Sequence, residues 1–255
     1  MLLANLLLVI FFVKDPDVVA QAEKGGDVLQ ALTESFKSFV KELYVSFLRS
    51  GSGPKLGLIF SVLPIGALAL AYATLGTLKV DYGSTDMQNA ELSVYNTVTA
   101  GVGCLIGGFL GDRFGIKKML WLFYALTTVP TVYLGLQIAT IGLESIPLAE
   151  FYGVIVGHGA VYGMTFGLHA AIFMGMTNPA VAATQFTAFM AMSNLAISIG
   201  SYWQGIVAER VDYAMVLYLD SVLVIIRLLL IPCVRNGEAP SQIGPSLGVA
   251  GEPAA

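Results

Sequence analysis

Apolar and polar positions along this chain follow two patterns. Met1 to Val13 is an apolar run, and residues 14–55 form a polar interval. Inside that interval Val28, Leu29, Leu32, Phe36, Phe39, Val40, Leu43 and Phe47 recur at three- and four-residue steps, with Glu34, Lys37, Lys41 and Glu42 between them. This period predicts an amphipathic helix over 27–48 that lies on a membrane surface. Gly51-Ser52-Gly53-Pro54 ends it. The turn leads into Lys55 without the G-K-[ST] ending of a phosphate loop, which argues against nucleotide binding there. Six long apolar runs follow, at 56–78, 92–111, 119–142, 150–176, 184–208 and 213–234. Each is long enough to cross a bilayer core of ~30 Å, and the short connectors predict antiparallel neighbours. Residues 235–255 are rich in Gly, Pro, Ser and Ala without periodicity and read as a disordered tail.

The first run is different. About a dozen apolar residues give roughly 18 Å of helix, short of the ~30 Å core. No basic segment precedes it, no small-residue cleavage site follows, and Lys14 to Asp17 is charged. Residues 1–13 therefore read as a partial membrane helix rather than a signal peptide.

Composition agrees with this pattern. Hydrophobic residues make up 56% of the 255 and charged residues 12%, against about 25% charged in a soluble domain. The mean hydropathy is +0.77. A net charge of −4 points away from a nucleic-acid partner. Cys104 and Cys233 both lie in apolar runs, with neither a disulfide framework nor metal-ligand spacing around them. No metal or cofactor is expected.

Charge also predicts orientation. Lys14, Lys24, Lys37, Lys41, Arg49, Lys55, Arg113, Lys117, Lys118 and Arg235 fall on one side of the six runs. The other side carries only Lys79 and Arg210 among basic residues, with Asp81, Asp86, Glu91, Glu144, Glu150, Glu209 and Asp212. The excess of Lys and Arg marks the first side as cytoplasmic, so residues 14–55 and the C-terminal tail are expected there.

The connector between the second and third runs carries the strongest local signal: Gly107-Gly108-Phe109-Leu110-Gly111-Asp112-Arg113-Phe114-Gly115-Ile116-Lys117-Lys118. Gly108 and Gly111 allow a neighbouring helix to come close. Asp112 at a helix end is placed to pair with Arg113 or an adjacent helix N-terminus. Gly115 permits a tight reversal, and Lys117 and Lys118 anchor the next helix at an anionic surface. An ordinary basic loop between two spans is the plainer interpretation.

This stretch resembles the G-x-x-x-D-R-x-G-[RK]-[RK] loop motif of the major facilitator superfamily. Gly108, Asp112, Arg113, Gly115, Lys117 and Lys118 match, while Ile116 stands where a basic residue is usual. A second stretch, Asn178 to Ala188 with Ala183-Thr184-Gln185-Phe186-Thr187 at its centre, resembles the ATQFA segment of AmpG-type muropeptide permeases, which belong with the acetyl-coenzyme A transporters. The resemblance covers residues from about 40 to 234. It implies an all-α membrane protein: the C-terminal six-transmembrane-helix half of a major facilitator fold, over 56–234. A partial helix and a central cytoplasmic loop with its interfacial amphipathic helix would precede it. The partners implied are a small-molecule solute, the lipid bilayer of an inner or plasma membrane, and an N-terminal six-helix half.

Polar groups inside apolar runs are the candidate site residues, because each is unfavourable in hydrocarbon. His158 and His169 lie in the fourth run, eleven residues apart and so nearly on one face, with Tyr162 one turn from His158. They meet a solute or carry protons, or else they are neutral and bond to neighbouring helices; the latter is preferred for His169. Their spacing is not that of a zinc site. Asn96, Gln185, Asn194 and Gln204 are placed to hydrogen-bond a polar solute or another helix. Asp220 and Arg227 share a face of the sixth run, roughly 10 Å apart along the axis and too distant to pair. Asp220 is the proton-coupling candidate with His158, a structural bond being its alternative, and Arg227 is expected to snorkel to the interface. The resemblance adds a cavity lined by the first, second, fourth and fifth helices, which singles out Asn96, His158, Tyr162 and Asn194.

Glycines also recur at four-residue steps: Gly103, Gly107 and Gly111 in the second run, and Gly159, Gly163 and Gly167 in the fourth, preceded by Gly153 and Gly157. Such rows allow close helix crossing, or the sliding surfaces of a rocking transporter.

The expected function is proton-coupled secondary transport by alternating access, of a polar or amphiphilic solute such as a muropeptide-like or acyl-carrier compound. One alternative is a membrane-embedded acyltransferase using His158 or His169. It is disfavoured, because no intramembrane carboxylate shares a span with either histidine and no compact nucleophile motif is present. The other is a non-transporting half that binds a partner chain.

Overall fold

The computed structural model describes residues 37, 41, 44, 45, 47, 52–62, 68–177 and 181–233. The chain divides into two units, Met1–Tyr44 and Val45–Ala255. Of the first, Lys37, Lys41 and Tyr44 are described, all helical and exposed. The partial helix expected at 1–13, most of the amphipathic helix and the tail at 235–255 lie outside the described residues.

The described part of the second unit contains helices and no strands. Its helices are α1 (Ser52–Val62), α2 (Ala73–Asp81), α3 (Asp86–Phe114), α4 (Ile116–Ile141), α5 (Leu148–Met176), α6 (Ala182–Arg210) and α7 (Tyr213–Leu230). Four of them, α3, α4, α5 and α7, are long and apolar enough to cross a membrane. This architecture is compatible with an integral membrane protein. Helix α6 is as long as α3 and α5, at 29 residues, but Thr184, Gln185, Asn194, Gln204 and Glu209 make it more polar.

The first expected span departs from the prediction of a single helix over 56–78. α1 ends at Val62 and α2 begins at Ala73, with a turn at Leu68 to Tyr72 before it. The intervening sequence holds Pro64 and Gly66, residues disfavoured in helix interiors. Hydropathy registers the apolar run and is blind to the break.

Helix ends follow local chemistry. A capping box opens α3: the Gln88 N–H donates to Thr85 Oγ1 at 3.3 Å, and the Thr85 N–H donates to Gln88 Oε1 at 2.9 Å. Asp212 caps α7 by accepting from the Met215 N–H at 2.6 Å. Gly115 alone separates α3 from α4, with φ of 96°. That left-handed value suits a residue without a β-carbon, as the tight reversal requires.

Helix α5 packs between α3 and α4, α4 also packs on α7, and α6 packs on α1 and α7. Contact between α3 and α5 runs along both glycine rows. A β-carbon on Gly103 would strike the Ala160 carbonyl, one on Gly107 the Met164 backbone and one on Gly163 the Ala100 backbone. Gly111 lies against Leu168, Gly159 against Asn96 and Gly167 against Cys104. Gly153 and Gly157 face open space and do not extend the row. The rows are thus a packing seam in which main chain meets main chain.

Two apolar clusters fill the interior. One holds Phe60, Leu120, Phe123, Leu168, Phe173, Phe189 and Val224. The other holds Leu70, Leu78, Leu92, Leu134, Phe151, Ile155 and Leu217. Along every helix that contributes to both, polar side chains stand between them: Thr127 and Thr131 on α4, His158 and Thr165 on α5, and Asp220 and Ser221 on α7, all buried. A polar belt therefore crosses the bundle between two apolar ends. The outer surfaces of α3 and α7 expose Val94, Val98, Val102, Leu105, Phe109, Val222, Ile225 and Leu229, as suits contact with lipid.

Candidate functional site

The belt is built from the turn before α2 together with α4, α5, α6 and α7. At its base, Asp220 is 1% exposed. Its Oδ1 accepts from the Leu68 N–H at 3.2 Å and from Gln204 Nε2 at 3.1 Å. Gln204 Oε1 in turn accepts from the Thr74 hydroxyl at 2.7 Å. Two ends of the broken first span, the turn and α2, are thereby tied to α6 and α7. Asp220 and Gln204 thus make helix-to-helix bonds, and the carboxylate accepts one backbone N–H, that of Leu68, which a continuous helix would have satisfied itself. The hydroxyls of Thr127, Thr131, Thr165 and Ser221 bond to carbonyls of their own helices.

Beside this network lies a cavity lined by Tyr72, Tyr124, Tyr162, His169, Asn194 and Arg227, with apolar walls from Leu68, Phe166, Phe173, Met190 and Ile197. Phe166 and Asn194 are exposed, so the cavity opens on the α5–α6 flank. The Tyr72 and Tyr162 hydroxyls lie 2.9 Å apart. The Tyr124 hydroxyl is 3.0 Å from His169 Nδ1.

Arg227 does not snorkel. It is 4% exposed, with its guanidinium 4.3 Å above the Tyr124 ring. The reason is its register: Leu217, Asp220, Val224 and Arg227 form the inward stripe of α7, so the side chain points into the bundle. No carboxylate pairs with it among the described residues, and its Nε lacks a hydrogen-bond partner.

The four solute-binding candidates are only partly brought together. Tyr162 and Asn194 line the central cavity. Asn96 lines a separate cleft with Lys79, Ser93 and Thr97, where its Oδ1 is buried without a partner. Tyr72 lines both spaces. His158 is 1% exposed and stacks on Tyr162 with ring centroids 5.9 Å apart, and neither ring nitrogen has a hydrogen-bond partner. Among the described residues it makes no helix-to-helix bond. His169, for which a purely structural bond was preferred, does make one to Tyr124 and also lines the cavity. Arg227, Tyr72 and Ser193 were not singled out as site residues. Arg227 was legible as a charge in an apolar run on the same face as Asp220.

The loop motif sits at one end of α3 and α4. Gly115 makes the reversal and Gly111 packs on Leu168. Gly108 faces open space rather than a neighbouring helix, because it lies off the α3–α5 seam. Asp112 is exposed, and Arg113 lies over the Phe114 ring at 5.7 Å instead of pairing with it. Asp112, Gly115, Lys117 and Lys118 border a shallow cleft against Ala171, Ile172 and Gly175 of α5.

Among the described residues no cluster of three or more His, Cys, Asp or Glu side chains is placed to hold a metal ion. Comparison of the chain with protein-family models, with curated proteins and with solved structures gave no match.

Proposed function

We propose that this chain is a six-helix half of a major facilitator-type secondary transporter, similar to the AmpG-type permeases, working by alternating access and coupled to protons. One observation carries the reading: a partly open cavity, with Tyr72, Tyr162, His169 and Arg227 set in mainly apolar walls, lies inside a bundle that includes four membrane-length helices. Ionisable groups buried in such a bundle mark a functional pathway by default: Arg227 and His169 line the cavity, His158 stacks on its wall residue Tyr162, and Asp220 is buried beside it. The opening on the α5–α6 flank is where a second six-helix half would complete the chamber. The basic side of the bundle, with Arg113, Lys117 and Lys118, would face the cytoplasm. His158 and Asp220 are the proton-coupling candidates, and the solute is a muropeptide-like or acyl-carrier compound.

The test is uptake by proteoliposomes containing this chain, alone and together with any co-purifying partner, under an imposed pH gradient. Accumulation of a radiolabelled muropeptide or acyl-coenzyme A that a protonophore abolishes is the expected result. Acyl transfer by the detergent-solubilised protein without a gradient would instead favour a membrane-embedded enzyme. Inactivity of every preparation would leave a half that serves only to bind a partner chain.

A further inference from the structure

We infer that the central cavity takes an acidic group of its solute, a carboxylate or a phosphate, seated against Arg227 with Ser193 and His169 completing its hydrogen bonds. This inference rests on the reading of the cavity as a solute site and narrows the solute to an anion with an apolar or aromatic-compatible body.

Charge gives the first argument. A guanidinium keeps its charge in proteins, and Arg227 is 96% buried by the complement of its 4% exposure. The described residues supply it with an aromatic face, Tyr124, but with no carboxylate. The nearest acidic residue on its own helix, Asp220, has Oδ1 held by Leu68 and Gln204. A buried cation with no carboxylate paired to it among the described residues is destabilising, and an anion drawn from outside offsets it.

Hydrogen bonding gives the second. Three unpartnered buried atoms belong to residues lining this one cavity: Arg227 Nε, Ser193 Oγ and His169 Nε2. When the Tyr124 hydroxyl donates to His169 Nδ1, the ring hydrogen sits on Nε2, and all three atoms are then donors. Unsatisfied donors on three residues around one cavity match the acceptor oxygens of a carboxylate or phosphate. A neutral polar group would leave the Arg227 charge uncompensated. The remaining walls, Phe166, Phe173, Met190 and Ile197, are apolar and suit the rest of an amphiphilic molecule.

The experiment is isothermal titration calorimetry of the detergent-solubilised chain with hexanoate, hexyl phosphate and hexanamide, which share a body and differ in charge. Hexanoate or hexyl phosphate is expected to bind about 10-fold or more tighter than hexanamide, and which of the two leads identifies the acidic group. Arg227→Gln should erase that preference, bringing all three probes to similar affinity. Ser193→Asp, which supplies a carboxylate within the cavity, should erase it as well, and it decides the matter if Arg227→Gln does not fold by circular dichroism. Equal affinity of all three probes for the wild type, or a preference that survives both variants, overturns the acidic-group inference alone. Binding of none of them overturns the solute cavity itself, and the inference with it.

Discussion

Gly163 of α5 lies against the backbone of Ala100 in α3, so near that a β-carbon on Gly163 would overlap the Ala100 carbonyl. The contact is reciprocated three residues along, where Gly103 of α3 sits beneath the Ala160 carbonyl of α5. Gly163→Ala and Gly103→Ala should each destabilise the protein by ~1–3 kcal/mol, the usual effect of overpacking. Gly153→Ala, on the same helix but facing open space, should be neutral or stabilising by about 0.5–1 kcal/mol. Thermal melting in a fixed detergent separates the cases, and equal melting points for all three variants would refute the seam.

The Asp220 carboxylate is the acceptor for two buried donors, the Leu68 N–H and Gln204 Nε2. Asp220→Leu leaves both unsatisfied and should lose ~1–3 kcal/mol for each donor. Amide hydrogen exchange at Leu68 should accelerate in this variant before that of the α3 and α5 amides. Exchange at Leu68 equal to the wild type would mean that the carboxylate does not hold the turn.

At the loop motif, Gly115 has φ of 96° while Gly108 is an ordinary helical residue with open space beside it. Gly115→Ala should therefore reduce stability by roughly 1–2 kcal/mol. Gly108→Ala should raise it slightly, since alanine is the better helix former. If Gly108→Ala proves the more harmful in a melting curve, some contact outside the described residues occupies that face.

Caps give a smaller effect. Thr85→Ala removes the side-chain half of the box at the start of α3, and Asp212→Ala removes the acceptor for Met215. Each should lower stability by about 0.5–2 kcal/mol. Chemical denaturation in mixed micelles measures it, and adding the two losses should reproduce the double variant because the caps begin different helices.

How far the sequence could be read depended on whether a feature belongs to one helix or to a pair. The glycine rows were visible because a four-residue repeat marks one face of one helix, and both rows proved to share a seam. The five runs from 92 onward appear as helices because apolar length is a local property. The break between α1 and α2 is marked in the sequence only by Pro64 and Gly66, and the bond that ties the turn to α7 joins Leu68 and Asp220, 152 residues apart. Arg227 was misjudged for a similar reason: its length permits snorkelling, and the ring of Tyr124 that holds it inward lies on another helix. Asn96, His158, Tyr162 and Asn194 were grouped by resemblance, and the packing of Tyr72 divides Asn96 from the central cavity.

The seam between α3 and α5 also has a mechanical meaning. Where carbonyls and α-carbons of two helices touch with no side chain between them, neither can roll or slide by a methyl's breadth without collision. The pair is then a single lever, and α4, packed along α5, is held to it. Flexing of the bundle is left to joints where side chains mediate contact: the turn ahead of α2, and the borders of α6. Tyr72 stands at that joint, its hydroxyl against Tyr162 on the lever and its ring against both hollow spaces.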